Sequence, residues 1–235
     1  MFGDLKHQWQ KLLDQSAASA VESSGIQPDH WRMAGRKSKS NPGRENLEWW
    51  REGGVDHLER YADWLSSTPL IFASFDGEPA IEFAWKAEMG GTLVRGFIDQ
   101  VMVDPDTGDL IVIDVKTGAR TPDSDLQLGI YASAVELLGY PRPKWGAFYM
   151  SRTGGLTDLV SLDRYSIQYL DQLFSQFRLA VTNNIFIPHV SNMCKGCSVR
   201  DACYSVGGLN SWQYDPLNPL FKASQDAVTS KEGTA

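Results

Sequence analysis

Nowhere does this sequence stay apolar for the ~20 consecutive residues that a bilayer-crossing helix needs. Its first fifteen residues, MFGDLKHQWQKLLDQ, also lack the basic start and apolar stretch of a secretory leader. A cytoplasmic protein of a prokaryotic or phage-infected cell is therefore expected. Cysteine is scarce too. The chain has three, Cys194, Cys197 and Cys203, all within ten residues near the C-terminus. An odd and tightly spaced trio argues against a disulfide framework and for metal ligation. Positive charge is in deficit, with 22 Lys and Arg against 29 Asp and Glu for a net charge of −7. The whole molecule therefore does not attract phosphate, and any nucleic-acid contact must come from a local concentration of cations. One such concentration lies at 31–44, where Arg32, Arg36, Lys37, Lys39 and Arg44 occur with no acidic residue. The chain also lacks internal repeats. What remains is ordinary globular composition, 42% hydrophobic in 235 residues, enough for one substantial core with a smaller appendage.

Periodicity sets out the elements. Leu5, Trp9, Leu12 and Leu13 predict a helix over 1–24, and the Pro, Gly, Ser and Asn of 26–46 predict a loop. A second helix is expected over 47–65, weakened at Gly53-Gly54. Three β-rich runs follow at 81–89, 92–103 and 110–115. The last two are joined by Asp104-Pro-Asp-Thr-Gly108, a turn sequence, so they read as an antiparallel meander. A helix over 124–138, a strand over 144–150, a hairpin at Gly154-Gly155, a strand over 156–160 and an amphipathic helix over 162–181 complete the pattern. The expected class is α/β with an αβββαβ core, a mixed sheet flanked by helices. Its parts would be a helical N-terminal region over 1–70, a core over 71–190, a cysteine metal-binding segment over 191–205 and a flexible tail over 206–235.

Chemistry concentrates on Leu110-Ile-Val-Ile-Asp-Val-Lys-Thr-Gly118. On a strand, Asp114 and Lys116 project from one face, while Val115 points into the core with its carbonyl near the same edge. Asp99, on the preceding strand, can sit alongside. Two carboxylates and a carbonyl make a hard oxygen site suited to Mg²⁺ or Mn²⁺. A lysine beside it can orient a metal-bound water and stabilise the charge of a phosphoryl transition state. Asp-x-Lys alone is equally an ordinary surface ion pair, and Lys116-Thr-Gly lacks the upstream glycines of a phosphate loop.

Three motifs occur in order: Gly96-x-x-Asp99, Asp114-x-Lys116-Thr-Gly and Gln127-x-x-x-Tyr131. Together they resemble the PD-(D/E)xK nuclease superfamily with its restriction-endonuclease-like core, in particular the RecB-like branch that includes AddB and the CRISPR-associated exonucleases. The resemblance spans about 81–203. It implies a metal-dependent deoxyribonuclease, a hydrolase acting as an exonuclease on DNA ends or single strands in repair or recombination, alone or with a helicase or recombination partner. A catalytically silent DNA-binding or assembly module on the same fold is the alternative. The resemblance assigns metal binding to Asp99, Asp114 and the Val115 carbonyl, catalysis to Lys116, and strand framing to Gln127 and Tyr131. The family's additional upstream residue would be His57, in Gly53-Gly-Val-Asp-His57, or Glu82, which can instead hold Lys116. Cys194-x2-Cys197-x5-Cys203 resembles the C-terminal part of the AddB iron–sulfur staple, which implies a 4Fe–4S cluster, with zinc as the alternative. No cysteine lies upstream, so His30 or His57 could complete the ligand set. Arg36, Lys37 and Lys39 are the candidate contacts to the DNA backbone. His7 and His189 carry no pattern.

Overall fold

Alternating burial defines the first long strand. In β4, Ile81–Met89, Trp85, Ala87 and Met89 are buried while Ala84, Lys86 and Glu88 between them are exposed. β5, Thr92–Val103, alternates in the same way up to Ile98 and is then almost continuously buried from Gln100 to Met102. β6, Leu110–Lys116, is buried on both faces, which accounts for its unbroken run of Ile and Val. The Asp104–Gly108 turn forms as its residues dictate. Gly108 N–H donates to Asp104 O at 2.7 Å, Asp106 N–H donates to Asp104 Oδ1 at 2.9 Å, and Gly108 adopts a φ of 73°.

The computed structural model describes residues 5–31, 35, 39, 44–185, 187, 189–191, 194, 197, 199–203 and 205–206. The chain divides after Gln176 into two units. The first holds helices α1, Leu5–Ser24, α2, Leu47–Ser67, and α3, Leu126–Leu137, with a sheet of seven strands. After β6, α3 crosses over and the chain returns in β7, Trp145–Met150, parallel to β6. One face of the sheet packs Ile98, Val101 and Val112 with Leu128, Ala132 and Val135 of α3. The other packs Met102, Ile111, Ile113 and Tyr149 with Tyr61 and Trp64 of α2. This is the expected αβββαβ order with a mixed sheet.

The sheet forks where the site lies. β5 pairs with β4 from Met89↔Thr92 to Ile81↔Gln100, but with β6 only from Gln100↔Ile113 to Val103↔Leu110. Beyond Ile113, β6 continues with β7 alone, through Asp114↔Phe148 and Lys116↔Met150. The β4–β5 ribbon therefore parts from β6 at Asp99 and Asp114.

Several elements differ from the sequence reading. α2 runs unbroken through Gly53-Gly54, because Gly54 is a packing notch: a Cβ there would lie 2.2 Å from the Trp9 ring, whose Nε1–H donates to Trp50 O at 2.9 Å. The helix expected from 162 is α4, Ile167–Thr182, and it begins later because Leu162 N–H still donates to Lys144 O beside β7. The strand expected over 156–160 is two short pieces, β8, Gly155–Leu156, and β9, Val160–Ser161. Thr157 interrupts them, its hydroxyl accepting Phe148 N–H at 3.1 Å. Three unanticipated strands precede β4: β1, Ile71–Phe72, on the inner end of β5, and the small hairpin of β2, Ser74–Phe75, and β3, Glu78–Pro79. The tail expected from 206 lies outside the described residues beyond Val206.

Candidate active site

Asp99 closes the mouth of the fork. Its Oδ2 accepts Val115 N–H at 2.7 Å, substituting for the β5 backbone acceptor that an unforked ladder would supply. A strand residue's N–H and C=O point to the same neighbour, so the Val115 carbonyl opens on the same gap. Asp114, 2% exposed, lies on the α3 face of β6. Burial raises its pKa above the ordinary carboxylate value; Lys116 opposes the rise and the charge of Asp99 adds to it. Lys116 Nζ is 2.5 Å from Asp114 Oδ2. The two make an ion pair without hydrogen-bond alignment, so Asp114 Oδ2 is a buried oxygen with no aligned donor. Two carboxylates beside a carbonyl, one of them buried and met only by the Lys116 ammonium, fit a small hard divalent cation.

Lys116 is held from the helix side. Its ammonium donates to Gln127 Oε1 at 3.0 Å and stands 5.7 Å from the centre of the Phe148 ring. An ammonium only donates, so Gln127 must present its carbonyl to it and turn its amide to the neighbouring phenol. Gln127 Nε2 accordingly donates to Tyr131 OH at 2.7 Å. Tyr131 keeps its own proton: burial raises its pKa, and the charges of Asp114, Asp99 and Glu82 raise it further against the Gln127 hydrogen bond. Glu82 is exposed on the outer edge of the same gap, with a φ of 47° at the one β4 position without a β5 partner between Ile81 and Phe83. Gly96 serves this wall. It pairs with Trp85, whose indole a Cβ would meet at 3.2 Å, and Trp85 in turn sets its ring edge-on to Tyr131.

His57 is placed differently. It is 8% exposed, and its Nδ1 lies 2.7 Å from Ser151 Oγ. The Ser151 hydroxyl donates to Lys116 O at 3.1 Å, so it accepts from His57, which fixes the Nδ1–H tautomer. Burial, then Arg152 and Arg60, lower the His57 pKa and keep the ring neutral. Its contact with the site runs through the Lys116 backbone. Arg152 adds a second brace, donating to Thr117 O at 2.7 Å while pairing with Glu45 at 2.8 Å and lying over the Trp49 ring. Sequence reading missed Ser151, Arg152 and Phe148. Their signal is the parallel pairing of β6 and β7, which brings the end of β7 beside Lys116.

Of the candidate DNA contacts, Arg36 and Lys37 lie outside the described residues, and Lys39 is exposed. The three cysteines are free thiols, Cys197 exposed and Cys194 and Cys203 half-buried. Among the described residues no three His, Cys, Asp or Glu side chains gather as a metal cluster, and no helix is long and apolar enough to cross a membrane.

A family model described as the PD-(D/E)XK nuclease superfamily matches residues 1–204. The Gene 69 protein of Mycobacterium phage D29 is 31% identical over 195 residues, covering 74% of this chain and 71% of the phage protein. The Gene 69 protein of Mycobacterium phage L5 is 33% identical over 132 residues, covering 54% of this chain and 44% of the L5 protein.

Proposed function

Because this chain belongs to the PD-(D/E)XK nuclease superfamily, we propose that it is a metal-dependent deoxyribonuclease whose active centre is the fork between β5 and β6. The observation that carries this reading is the convergence of Asp99, Asp114 and Lys116 at the fork, with the Lys116 ammonium fixed between a carboxylate and Gln127. Asp99, Asp114 and the Val115 carbonyl would hold Mg²⁺ or Mn²⁺, which when bound supplies an acidified water and neutralises phosphate charge. Lys116 contributes a positioned positive charge for the phosphate oxygens, and Tyr131 a phenol that remains a hydrogen-bond donor at neutral pH. Phe148 and Trp85 form the apolar walls that keep these groups partly dry and their interactions strong.

The finer assignments extend from the same motifs. The substrate is DNA, cut from an end or as a single strand, by the chain alone or with a helicase or recombination partner. The phage-encoded relatives support a setting in the cytoplasm of a phage-infected cell. The spacing of Cys194, Cys197 and Cys203 supports a separate structural metal centre, iron–sulfur or zinc, which elemental analysis of anaerobically purified protein tests.

The decisive experiment measures loss of end-labelled DNA with Mg²⁺ or Mn²⁺ and with EDTA. Cleavage is expected only with metal, and Asp114→Ala and Lys116→Ala should each slow it by ~10²-fold or more. Equal rates for Lys116→Ala and the parent would remove the lysine from the mechanism. A parent that binds DNA but leaves it intact with either metal would instead be a silent binding module.

A further inference from the structure

The outer face of the β4–β5 ribbon carries an arrangement that folding alone does not favour. Lys86 and Arg95 sit directly opposite each other in the register, both exposed, where like charges repel. Neither makes an ion pair or hydrogen bond among the described residues. Glu88, on the same face, is paired in register with Leu93 and is not within ion-pair distance of either cation. One step toward the fork, Phe97 stands 60% exposed opposite Ala84, and at the far end Leu93 is also 60% exposed. The other face of the same ribbon is core, with Trp85, Ala87, Met89 and Ile98 buried, so neither the cations nor the aromatic ring serves the packing. Along β5, Phe97 is two residues from Asp99, about 7 Å, and Arg95 is four residues away, about 13 Å.

We propose that this face is a track for single-stranded DNA leading to or from the fork. Phe97 stacks an unpaired base, and the Lys86–Arg95 pair receives the backbone phosphates beyond it. An aromatic ring next to paired cations, aligned with the strand that carries a catalytic candidate, suits the binding of single strands: rings stack on bases of any sequence and cations follow the backbone. Phosphates there also relieve the Lys86–Arg95 repulsion, for which no ion-pair partner stands among the described residues. A duplex hides the base faces that Phe97 needs. A second copy joined edge to edge along β4 by a two-fold axis would bring Lys86 toward its own counterpart and increase the repulsion. The track rests on the nuclease reading for its substrate, but it is tested by binding, which does not require cleavage.

The experiment compares the parent chain, Phe97→Ala, Phe97→Trp and Lys86→Ala/Arg95→Ala, each checked for an unchanged melting temperature. Affinity for a fluorescent oligothymidylate of about 20 nucleotides, long enough for one such site, is measured in divalent-free buffer over a salt series, with a duplex of equal length as control. Phe97→Ala should lose about tenfold or more in single-strand affinity, and Phe97→Trp should retain it. The double variant should flatten the log–log salt slope by about 1.4, at roughly 0.7 for each phosphate that is no longer neutralised. With metal present, KM should rise while kcat at saturating DNA stays near the parent value. Unchanged affinity and slope in a parent that binds DNA would overturn the track and leave the nuclease reading in place. A parent that neither binds nor cuts DNA would overturn both. Changed sedimentation of the variants, with DNA affinity unaltered, would assign the face to a second copy and overturn the track.

Discussion

His57 shows how a single residue can act on the site without entering it. Its Nδ1–H is committed to Ser151, and Ser151 is committed to the carbonyl of Lys116, so a neutral ring braces the backbone that aims the ammonium. Burial, with Arg152 and Arg60 adding, lowers the folded pKa of His57 below its ordinary 6.5. A histidine depressed in this way leaves stability intact above that value. Below it the unfolded chain takes up the proton first, so stability falls as the pH drops from 6.5 toward the folded pKa. The parent melting temperature should therefore fall on this acidic side, and His57→Gln should remove that part of the pH dependence; parallel profiles for the two proteins would count against the assignment. Ser151→Ala, which leaves His57 Nδ1 without its partner and Lys116 O with the backbone N–H at 151 alone, should reduce kcat more than it changes KM.

Among the elements, α3 is the one most tightly tied to the site, because it carries Gln127 and Tyr131 on a helix pressed against its neighbours. A Cβ on Gly129 would lie 2.2 Å from the Tyr165 ring, and Tyr165 OH donates to Asp125 at the start of the same helix at 2.5 Å. Gly129→Ala should push α3 away from this contact and cost about 1–3 kcal/mol, the usual range for overpacking, read by denaturant titration. Because Gln127 moves with the helix, activity should fall as well. The strands β4, β5 and β6 and the helix α3 were readable from local pattern, since alternation, the Asp-Pro-Asp-Thr-Gly turn and a run of apolar residues without proline each act over neighbouring residues. The short strands β1, β2 and β3 were not, nor was the division of the 156–160 strand into β8 and β9, because two residues become a strand only when a partner arrives from elsewhere in the chain. Gly54 was misread for the same kind of reason: propensity marks it as a weak point, whereas the Trp9 ring makes it the best fit. The site divides along this line too. Asp99, Asp114, Lys116, Gln127 and Tyr131 were legible, while Ser151 and Arg152 depend on the parallel return of β7. Phe97 and the Lys86–Arg95 pair became visible only with the register.

At the scale of the whole molecule, a chain of net charge −7 places Asp99, Asp114 and Glu82 where the charge of each acts on Tyr131. A cation that binds there and not to the unfolded chain should stabilise the fold by mass action, about 2.7 kcal/mol at a hundred times its Kd. Millimolar Mn²⁺ or Mg²⁺ should thus raise the parent melting temperature by several degrees and that of Asp114→Asn by much less; equal rises would place the bound metal elsewhere. The site is also local along the chain, since Asp99, Asp114, Lys116, Gln127 and Tyr131 fall on one continuous stretch that forms two strands, a tight turn and a helix. Contacts of short sequence separation close with little loop entropy and tend to form quickly. The fork can therefore assemble as a unit before the parallel return of β7 and the late pairing of β8 and β9, so slow folding steps should delay the bracing of Lys116 by Ser151 rather than the meeting of Asp99 with Val115.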